Sequence, residues 1–130
     1  MGNPLVSVVV PTFNRAHLIG RTIDSALRQT HDRVEVIVVD DGSTDATRET
    51  IARDHGGDER VRYFRKQNGG PASARNHGFR YARGEYVALL DSDDTWLPWK
   101  LSLQIRCMER HPRLGMTWTD MEMIGEAGKA

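Results

Sequence analysis

The chain has 130 residues, and its 18 lysines and arginines balance 18 aspartates and glutamates. This zero net charge argues against a protein that binds nucleic acid over a broad surface, because such proteins carry an excess of basic residues. The single cysteine excludes a disulfide within the chain and fits a reducing cytoplasm. No apolar run approaches the roughly 20 residues that cross a bilayer, and the N-terminus lacks the pattern of a signal peptide. We therefore expect a cytoplasmic domain, which a membrane anchor in a longer parent would place at the inner face of a membrane.

The first half of the chain predicts two strands, each followed by a helix. Both strand segments are apolar and β-branched with almost no polar alternation, which is typical of strands buried on both faces of a parallel sheet. Asn14 is placed to cap the first helix, and Ser43 is placed to cap the second. The predicted elements are a strand at residues 5–10 that Pro11 ends, a helix with apolar positions between 18 and 27, a strand at 34–39, and a helix to about Asp54.

The second half continues this alternation of strands and helices. The apolar segment at residues 86–90 is predicted to be the central strand, and Pro98 fits the first turn of the helix that follows it. The predicted elements are strands at 61–64, 86–90 and 116–121, helices from about Ala72 to Gly84 and from Pro98 to Pro112, and a loop or frayed end from Gly125 to Ala130.

Strands that alternate with helices predict an α/β sandwich with a mostly parallel sheet. Right-handed crossovers place the carboxyl ends of all strands at one edge of the sheet, and ligands of such sheets bind at that edge. Three polar clusters of the sequence follow predicted strands, at residues 11–14, 40–43 and 91–94. We therefore expect them to converge on one site.

Asp91, Asp93 and Asp94 crowd three carboxylates into one turn after a strand. Their mutual repulsion favours a compensating cation, and Mg²⁺ or Mn²⁺ prefer carboxylate oxygens and often bridge to substrate phosphates. The alternative is an acidic turn in which Asp94 or Thr95 caps the next helix. The turn alone does not decide between a metal site and a helix cap.

Asp40 and Asp41 form a second acidic cluster. A carboxylate at the end of a strand can accept a hydrogen bond from the imide N–H of uracil or from a ribose hydroxyl, and helix capping is again the alternative. Bacterial receiver domains also contain an acidic pair, but there it follows the first strand and a lysine follows the fifth. Here the pair follows the second strand, and the predicted strand at 116–121 contains no lysine, so this interpretation is rejected.

Gly69 and Gly70 precede a predicted helix that carries Arg75 in its first turns. Glycines let the backbone approach a ligand closely, a helix N-terminus favours an anion, and an arginine there can reach a phosphate or a base. The alternative is a flexible loop with Arg75 on a solvated surface. The segment is neither a Walker A loop nor a dinucleotide-binding glycine fingerprint.

Together these motifs resemble the family 2 glycosyltransferases. The resemblance covers about residues 5–112 and implies a GT-A fold, a nucleotide-diphosphate-sugar donor with uridine as the first candidate, Mn²⁺ or Mg²⁺ as cofactor, and inversion at the anomeric carbon. The acceptor (a glycan, lipid or protein) is left open. The matching segments are residues 6–14, 36–45, 68–70, 74–78 and 84–94.

The resemblance also implies roles for individual residues. Asp40 would hold the base with Asp41 beside it, and Arg75 would lie near the base and the diphosphate. Asp93 would be the main metal ligand, with Asp91 at the ribose or the metal. The residues that would line the nucleoside pocket are Pro11, Thr12 and Asn14.

The family's general base is a carboxylate further along the chain, and no matching segment follows Asp120. Glu122 and Glu126 lie too near the preceding predicted strand. We therefore expect residues 1–130 to be the N-terminal, nucleotide-sugar-binding part of a truncated glycosyltransferase domain, without its acceptor-binding half. The alternative function is a non-catalytic nucleotide-sugar-binding or interaction module. A truncated sheet would leave an exposed edge, at which a homo-oligomer could form.

Overall fold

The structure, a computed structural model, describes residues 2–125, in which four strands alternate with four helices. Each strand but the last is joined to the next by one helix. The strands are β1 (Val6–Thr12), β2 (Val34–Asp40), β3 (Val61–Arg65) and β4 (Tyr86–Leu89), and the helices are α1 (Ile19–Leu27), α2 (Thr47–His55), α3 (Pro71–Tyr81) and α4 (Lys100–Arg110).

The four strands form one parallel sheet in the order β3-β2-β1-β4. β1 pairs with β2 along its whole length, whereas it pairs with β4 only from Val6 to Val9. Among the described residues β4 is therefore an edge strand, and the prediction that it is central is wrong. Its apolar sequence is explained by one covered face, since Tyr86 and Ala88 pack on the core while Val87 and Leu89 are exposed.

The sheet lies between two layers of helices. Helices α1, α2 and α4 contribute Ile23, Ile51 and Leu101 to the core on one face, and α3 contributes Ala74 on the other. Every residue of β1 and β2 is buried, which explains why these strands lack polar alternation. The predicted α/β sandwich with a parallel sheet is confirmed.

Three predicted helix boundaries are wrong. α1 begins at Ile19, five residues after Asn14, and no side chain caps it. α2 begins at Thr47, beyond Ser43, because residues 43–45 are bound to the loop after β1. α3 ends at Tyr81, before the predicted stop at Gly84. The N–H groups of residues 83 and 84 donate to Ser7 Oγ on β1 at 3.1 and 2.8 Å, which turns the chain into β4 instead.

The predicted strand at residues 116–121 does not form. This segment runs beside α4, where Gln104 Nε2 donates to Thr117 Oγ1 at 3.2 Å and Lys100 Nζ donates to Thr119 Oγ1 at 3.1 Å. The segment therefore lies along α4 and is not paired with the sheet that the described residues form. Glu126 and the rest of the predicted frayed end after Gly125 lie outside the described residues. No helix in the part of the chain that the structure describes is long and apolar enough to cross a bilayer.

Candidate functional site

The strand order reverses between β1 and β4, and the carboxyl ends of these strands point to one edge of the sheet. Ligands of open parallel sheets bind at this edge, at the point of reversal. All three predicted polar clusters lie along it: residues 11–14 at the end of β1, 40–43 at the end of β2, and 91–94 after β4. Asp40 and the turn after β4 are separated by β1, which corresponds to about 10 Å between their strands.

Pro11 lies inside β1, which continues to Thr12, so the prediction that this proline ends the strand is wrong. In β1 the carbonyl of Val9 faces β4 and that of Thr12 faces β2. Because the backbone groups of successive residues point to alternate sides, the N atom of Pro11 points toward β4. The pairing with β4 ends at Val9, so a proline at this position removes no hydrogen bond between strands.

Thr12 is buried next to Asp40, and its Oγ1 has no hydrogen-bond partner among the described residues. A buried unpaired hydroxyl at a ligand-binding edge is a group that a ligand can satisfy.

Asn14 joins the loops after β1 and β2. Its backbone is in the left-handed region at φ 53°, which asparagine tolerates better than most residues. Its Oδ1 accepts the N–H of Thr44 at 2.7 Å and that of Asp45 at 3.2 Å, and its own N–H donates to Ser43 Oγ at 2.9 Å. Asn14 therefore holds the shape of this edge instead of capping α1.

Asp40 is completely buried at the end of β2. Its carboxylate accepts the N–H of Ser43 at 2.8 Å and the hydroxyl of Tyr63, and Arg65 lies 3.5 Å away. Burial, together with the hydrogen bond and the negative charge of Asp40, raises the pKa of Tyr63 to about 12. The oxygens that the sequence analysis assigned to the base are thus already bound by protein groups.

Asp41 binds the glycine loop that precedes α3. Its Oδ1 accepts Lys66 Nζ at 3.0 Å and the N–H of Gly69 at 2.9 Å, and its Oδ2 accepts the N–H of Gly70 at 2.8 Å. Burial by itself would raise the pKa of Asp41, but these hydrogen bonds and the charge of Lys66 outweigh it and hold the pKa below its ordinary value. The loop amides that were expected to face a phosphate are therefore used by a carboxylate of the chain.

Arg75 reaches the site from α3, on the face of the sheet opposite α1. Gly78 lets this helix lie directly on the sheet, since a Cβ there would come 2.5 Å from Val9 Cγ1. Arg75 Nη2 donates to Asp91 Oδ1 at 3.0 Å, while its Nε is buried without a hydrogen-bond partner among the described residues. The guanidinium group thus has a free donor beside the edge.

Residues 91–94, here called the acidic turn, follow β4 after the buried residue Leu90. Asp91 and Asp93 are half-exposed, with side-chain exposures of 52% and 50%. The hydroxyl of Thr22 on α1 fixes the backbone of the turn, since it lies within hydrogen-bonding distance of the carbonyl oxygens of Ser92 at 3.0 Å and Asp94 at 2.7 Å. Burial, and then the charges of Asp93 and Asp91, raise the pKa of Asp94, so the turn concentrates negative charge.

The donor set of the acidic turn fits a divalent cation that is shared with a ligand. No three His, Cys, Asp or Glu side chains within residues 2–125 are arranged to hold a metal on their own. Mg²⁺ is commonly bound by one or two carboxylates and completed by phosphate oxygens and water. Asp91 and Asp93 offer two accessible carboxylates in the same turn as Asp94, and a cation would relieve the repulsion among these three groups.

The sequence analysis missed several residues that shape this edge. Arg15 lies beside Asp93, Lys66 binds Asp41, and Tyr63 and Arg65 enclose Asp40. Alternation in β3 could have indicated Tyr63 and Arg65, which face the same side of that strand. Nothing in the sequence indicates the partners of Arg15 and Lys66, because these depend on how the loops meet.

The chain is similar in sequence to longer glycosyltransferases. It is 44% identical over 124 residues to an uncharacterized glycosyltransferase of Rickettsia bellii, and this alignment covers 95% of this chain and 18% of that protein. It is also 44% identical over 106 residues to TuaG of Bacillus subtilis, a glycosyltransferase named for teichuronic acid biosynthesis, with 81% of this chain and 42% of that protein covered. The chain thus spans less than half the length of either relative.

Solved structures show the same fold. A mannosyltransferase of Pyrobaculum calidifontis, in complex with GDP-mannose and Mn²⁺, matches with a TM-score of 0.75 and 32% identity over 81% of this chain and 32% of that chain. TarS of S. aureus (residues 1–349), in complex with UDP, matches with a TM-score of 0.74 and 31% identity over 82% of this chain and 32% of that chain. The predicted GT-A fold is therefore confirmed.

The family model described as "Glycosyl transferase family 2" matches residues 7–120. This span includes β1 from its second residue, the other three strands, the glycine loop and the acidic turn. Since this match covers most of the chain and the solved structures share its fold, the chain belongs to glycosyl transferase family 2.

Proposed function

We propose that this chain forms the donor-binding part of a metal-dependent glycosyltransferase and holds a nucleoside diphosphate sugar, with a UDP-sugar as the first candidate, across the ends of β1 and β4. The observation that carries the proposal is the acidic turn at the reversal of the strand order, where the accessible carboxylate of Asp91 lies next to Arg75 and that of Asp93 lies next to Arg15. Similarity to proteins solved with UDP and with GDP-mannose and Mn²⁺ supports the donor class and the metal.

Each residue has a part in this proposal. The Thr12 hydroxyl and Nε of Arg75, which are buried without a hydrogen-bond partner among the described residues, are the polar groups that we assign to the donor. Asp93 and Asp91 hold the cation, which when bound would act as a Lewis acid that neutralises the departing diphosphate. The remaining residues, Pro11, Asn14, Asp40 and Asp41, line or support the nucleoside pocket, the last three through the loops they bind.

Transfer by the whole protein is proposed to invert the anomeric carbon, which the family resemblance alone supports. A glycan is the proposed acceptor class, because TuaG is named for the synthesis of a polysaccharide. For this chain the proposal is confined to binding of the donor and stabilisation of the leaving diphosphate.

Isothermal titration calorimetry with UDP and GDP, in Mn²⁺ and in EDTA, tests the proposal. We expect one diphosphate to bind at least about tenfold more weakly in EDTA, which corresponds to about 1.4 kcal/mol, because three carboxylates repel a diphosphate that no cation bridges. Asp93→Asn should weaken binding in Mn²⁺, whereas Asp54→Asn, an exposed aspartate at the end of α2, should not. Equal affinity in EDTA would remove the metal from the proposal, and no binding of either diphosphate would contradict the donor site.

A further inference from the structure

Arg15 is a second arginine beside the acidic turn. Its Nη2 lies 3.9 Å from Asp93 Oδ2, while Arg75 Nη2 lies 3.0 Å from Asp91 Oδ1. Arg15 comes from the loop between β1 and α1, and Arg75 comes from α3 on the opposite face of the sheet. Each of the two accessible carboxylates is thus paired with an arginine from a different side.

The backbone of Arg15 is held by hydrogen bonds, whereas its side chain is half-exposed. Its N–H donates to Thr47 Oγ1 at 3.1 Å, and its carbonyl accepts the N–H groups of Leu18 and Ile19 at 2.9 and 2.8 Å. Asn14, directly before it, is bound to the loop after β2. The Arg15 side chain itself is 43% exposed, and exposed ion pairs are weak. The hydrogen bonds of the backbone therefore fix the position of the Arg15 main chain, and only a weak ion pair has to break for its guanidinium group to take another partner.

The charges around the acidic turn favour such a change of partner. A divalent cation on Asp91 and Asp93 would lie against both guanidinium groups and repel them. A diphosphate bound to the same cation offers oxygens that arginine binds in bidentate fashion. Arginine and metal therefore compete for Asp93 in the absence of a diphosphate and cooperate in its presence.

We propose that Arg15 is a diphosphate-binding residue of the donor site, which pairs with Asp93 in the free chain and moves to the phosphates when donor and cation bind. This inference rests on the proposed function and adds one residue to it. It predicts that replacement of Arg15 changes two affinities in opposite directions. The affinity for the metal alone should rise, because Asp93 loses its competing partner. The affinity for the nucleotide with metal should fall, because the diphosphate loses a binding residue.

The test compares Arg15→Gln with the wild-type chain in two titrations. Mn²⁺ alone, followed by the electron paramagnetic resonance signal of the free ion, should bind several-fold more tightly to the variant. UDP or GDP in saturating Mn²⁺, followed by calorimetry, should bind about tenfold more weakly, with a smaller loss for UMP or GMP. The matched control is Arg53→Gln, which breaks another exposed arginine–aspartate pair at the end of α2 and should change neither affinity.

Unchanged diphosphate affinity in Arg15→Gln would overturn the inference while leaving the proposed function intact. If the variant nevertheless bound Mn²⁺ more tightly, Arg15 would be only a counter-ion of Asp93. A wild-type chain that binds neither UDP nor GDP would contradict the proposed function as well. Circular dichroism checks the fold of each variant. If Arg15→Gln does not fold, Arg15→Lys, which keeps the charge and loses the bidentate geometry, should show an intermediate loss of diphosphate affinity, and wild-type affinity there would overturn the inference.

Discussion

The carboxylate of Asp41 accepts the backbone N–H of Gly70 at 2.8 Å, one residue before helix α3 begins. The same carboxylate binds the N–H of Gly69 and the ammonium of Lys66. The acidic residue after β2 thus fixes the loop from which α3 carries Arg75 to the site. The anion at the start of this helix belongs to the protein, and a donor phosphate must bind nearer to Arg75 and the acidic turn.

Replacement of Asp41 by asparagine should lower the free energy of unfolding by about 1–3 kcal/mol, because the part-buried N–H groups of Gly69 and Gly70 lose a charged acceptor. Urea unfolding followed by circular dichroism measures the change. Asp54→Asn, whose partner is the exposed neighbour Arg53, is the control and should leave the unfolding midpoint unchanged. Equal midpoints for both variants would show that Asp41 does not hold the loop.

Stability should depend on the ionisation of Glu35, a buried residue of β2. Burial would raise its pKa, but hydrogen bonds from Ser7, the backbone of Arg83 and the side chain of Arg62 outweigh burial and lower it. A lowered pKa in the folded state means that the carboxylate stabilises the fold above its unfolded pKa, and that this contribution is lost as the pH falls through the folded pKa.

The free energy of unfolding should therefore decrease as the pH falls below about 4.5, the ordinary value for glutamate. Glu35→Gln should be less stable than wild type at pH 7 and should lose less stability between pH 5 and pH 3, since one titrating group is removed. Denaturant unfolding at a series of pH values measures both slopes. Parallel slopes for the two proteins would contradict the assigned pKa shift.

Gly78→Ala should destabilise the chain and weaken binding of the donor. The added Cβ would meet Val9 Cγ1 at 2.5 Å and Val39 Cγ2 at 3.3 Å, so α3 must move away from the sheet, and overpacking of this kind costs about 1–3 kcal/mol. Arg75 moves with the helix, which lowers the affinity for UDP or GDP in Mn²⁺. Gly20→Ala in α1 is the matched control, because nothing lies within 4 Å of its added Cβ, and it should leave affinity unchanged and slightly raise the melting temperature. A stable Gly78→Ala with normal affinity would argue against close packing of α3.

Tyr63→Phe should destabilise the chain by about 1–3 kcal/mol, because the buried carboxylate of Asp40 loses its hydroxyl donor. In a spectroscopic titration of the three tyrosines of the wild-type chain, one should ionise near pH 12, and this signal should be absent from the variant. Tyr81→Phe keeps the ring that stacks on Phe64 at 4.1 Å and should retain the late titration. If the signal near pH 12 were lost in Tyr81→Phe instead, the raised pKa would not belong to Tyr63.

Particular elements show what local sequence could reveal. The apolar runs of β1 and β2 fixed their burial on both faces, because a strand without polar alternation has no side to turn to water. The same reasoning was wrong for residues 86–90, where only one face is covered, and for residues 116–121, which lie along α4. A run of apolar residues does not by itself place a segment inside the sheet, since Met116, Trp118 and Met121 are exposed. Burial depends on which elements pack against the segment.

The features of the site also fall into those that the sequence predicts and those that only the structure shows. By itself the sequence determined the fold family, the order of the elements and the position of Asp40, Asp41 and the acidic turn at one edge, because each follows a strand and the carboxyl ends of parallel strands share an edge. Only the tertiary structure decided that Asp40 is enclosed by Tyr63, that Asp41 binds the glycine loop and that Arg15 faces Asp93. These contacts join residues 23 to 78 positions apart in the chain, and a hydrogen bond or ion pair depends on distances of a few ångström that periodicity and spacing along the chain do not encode.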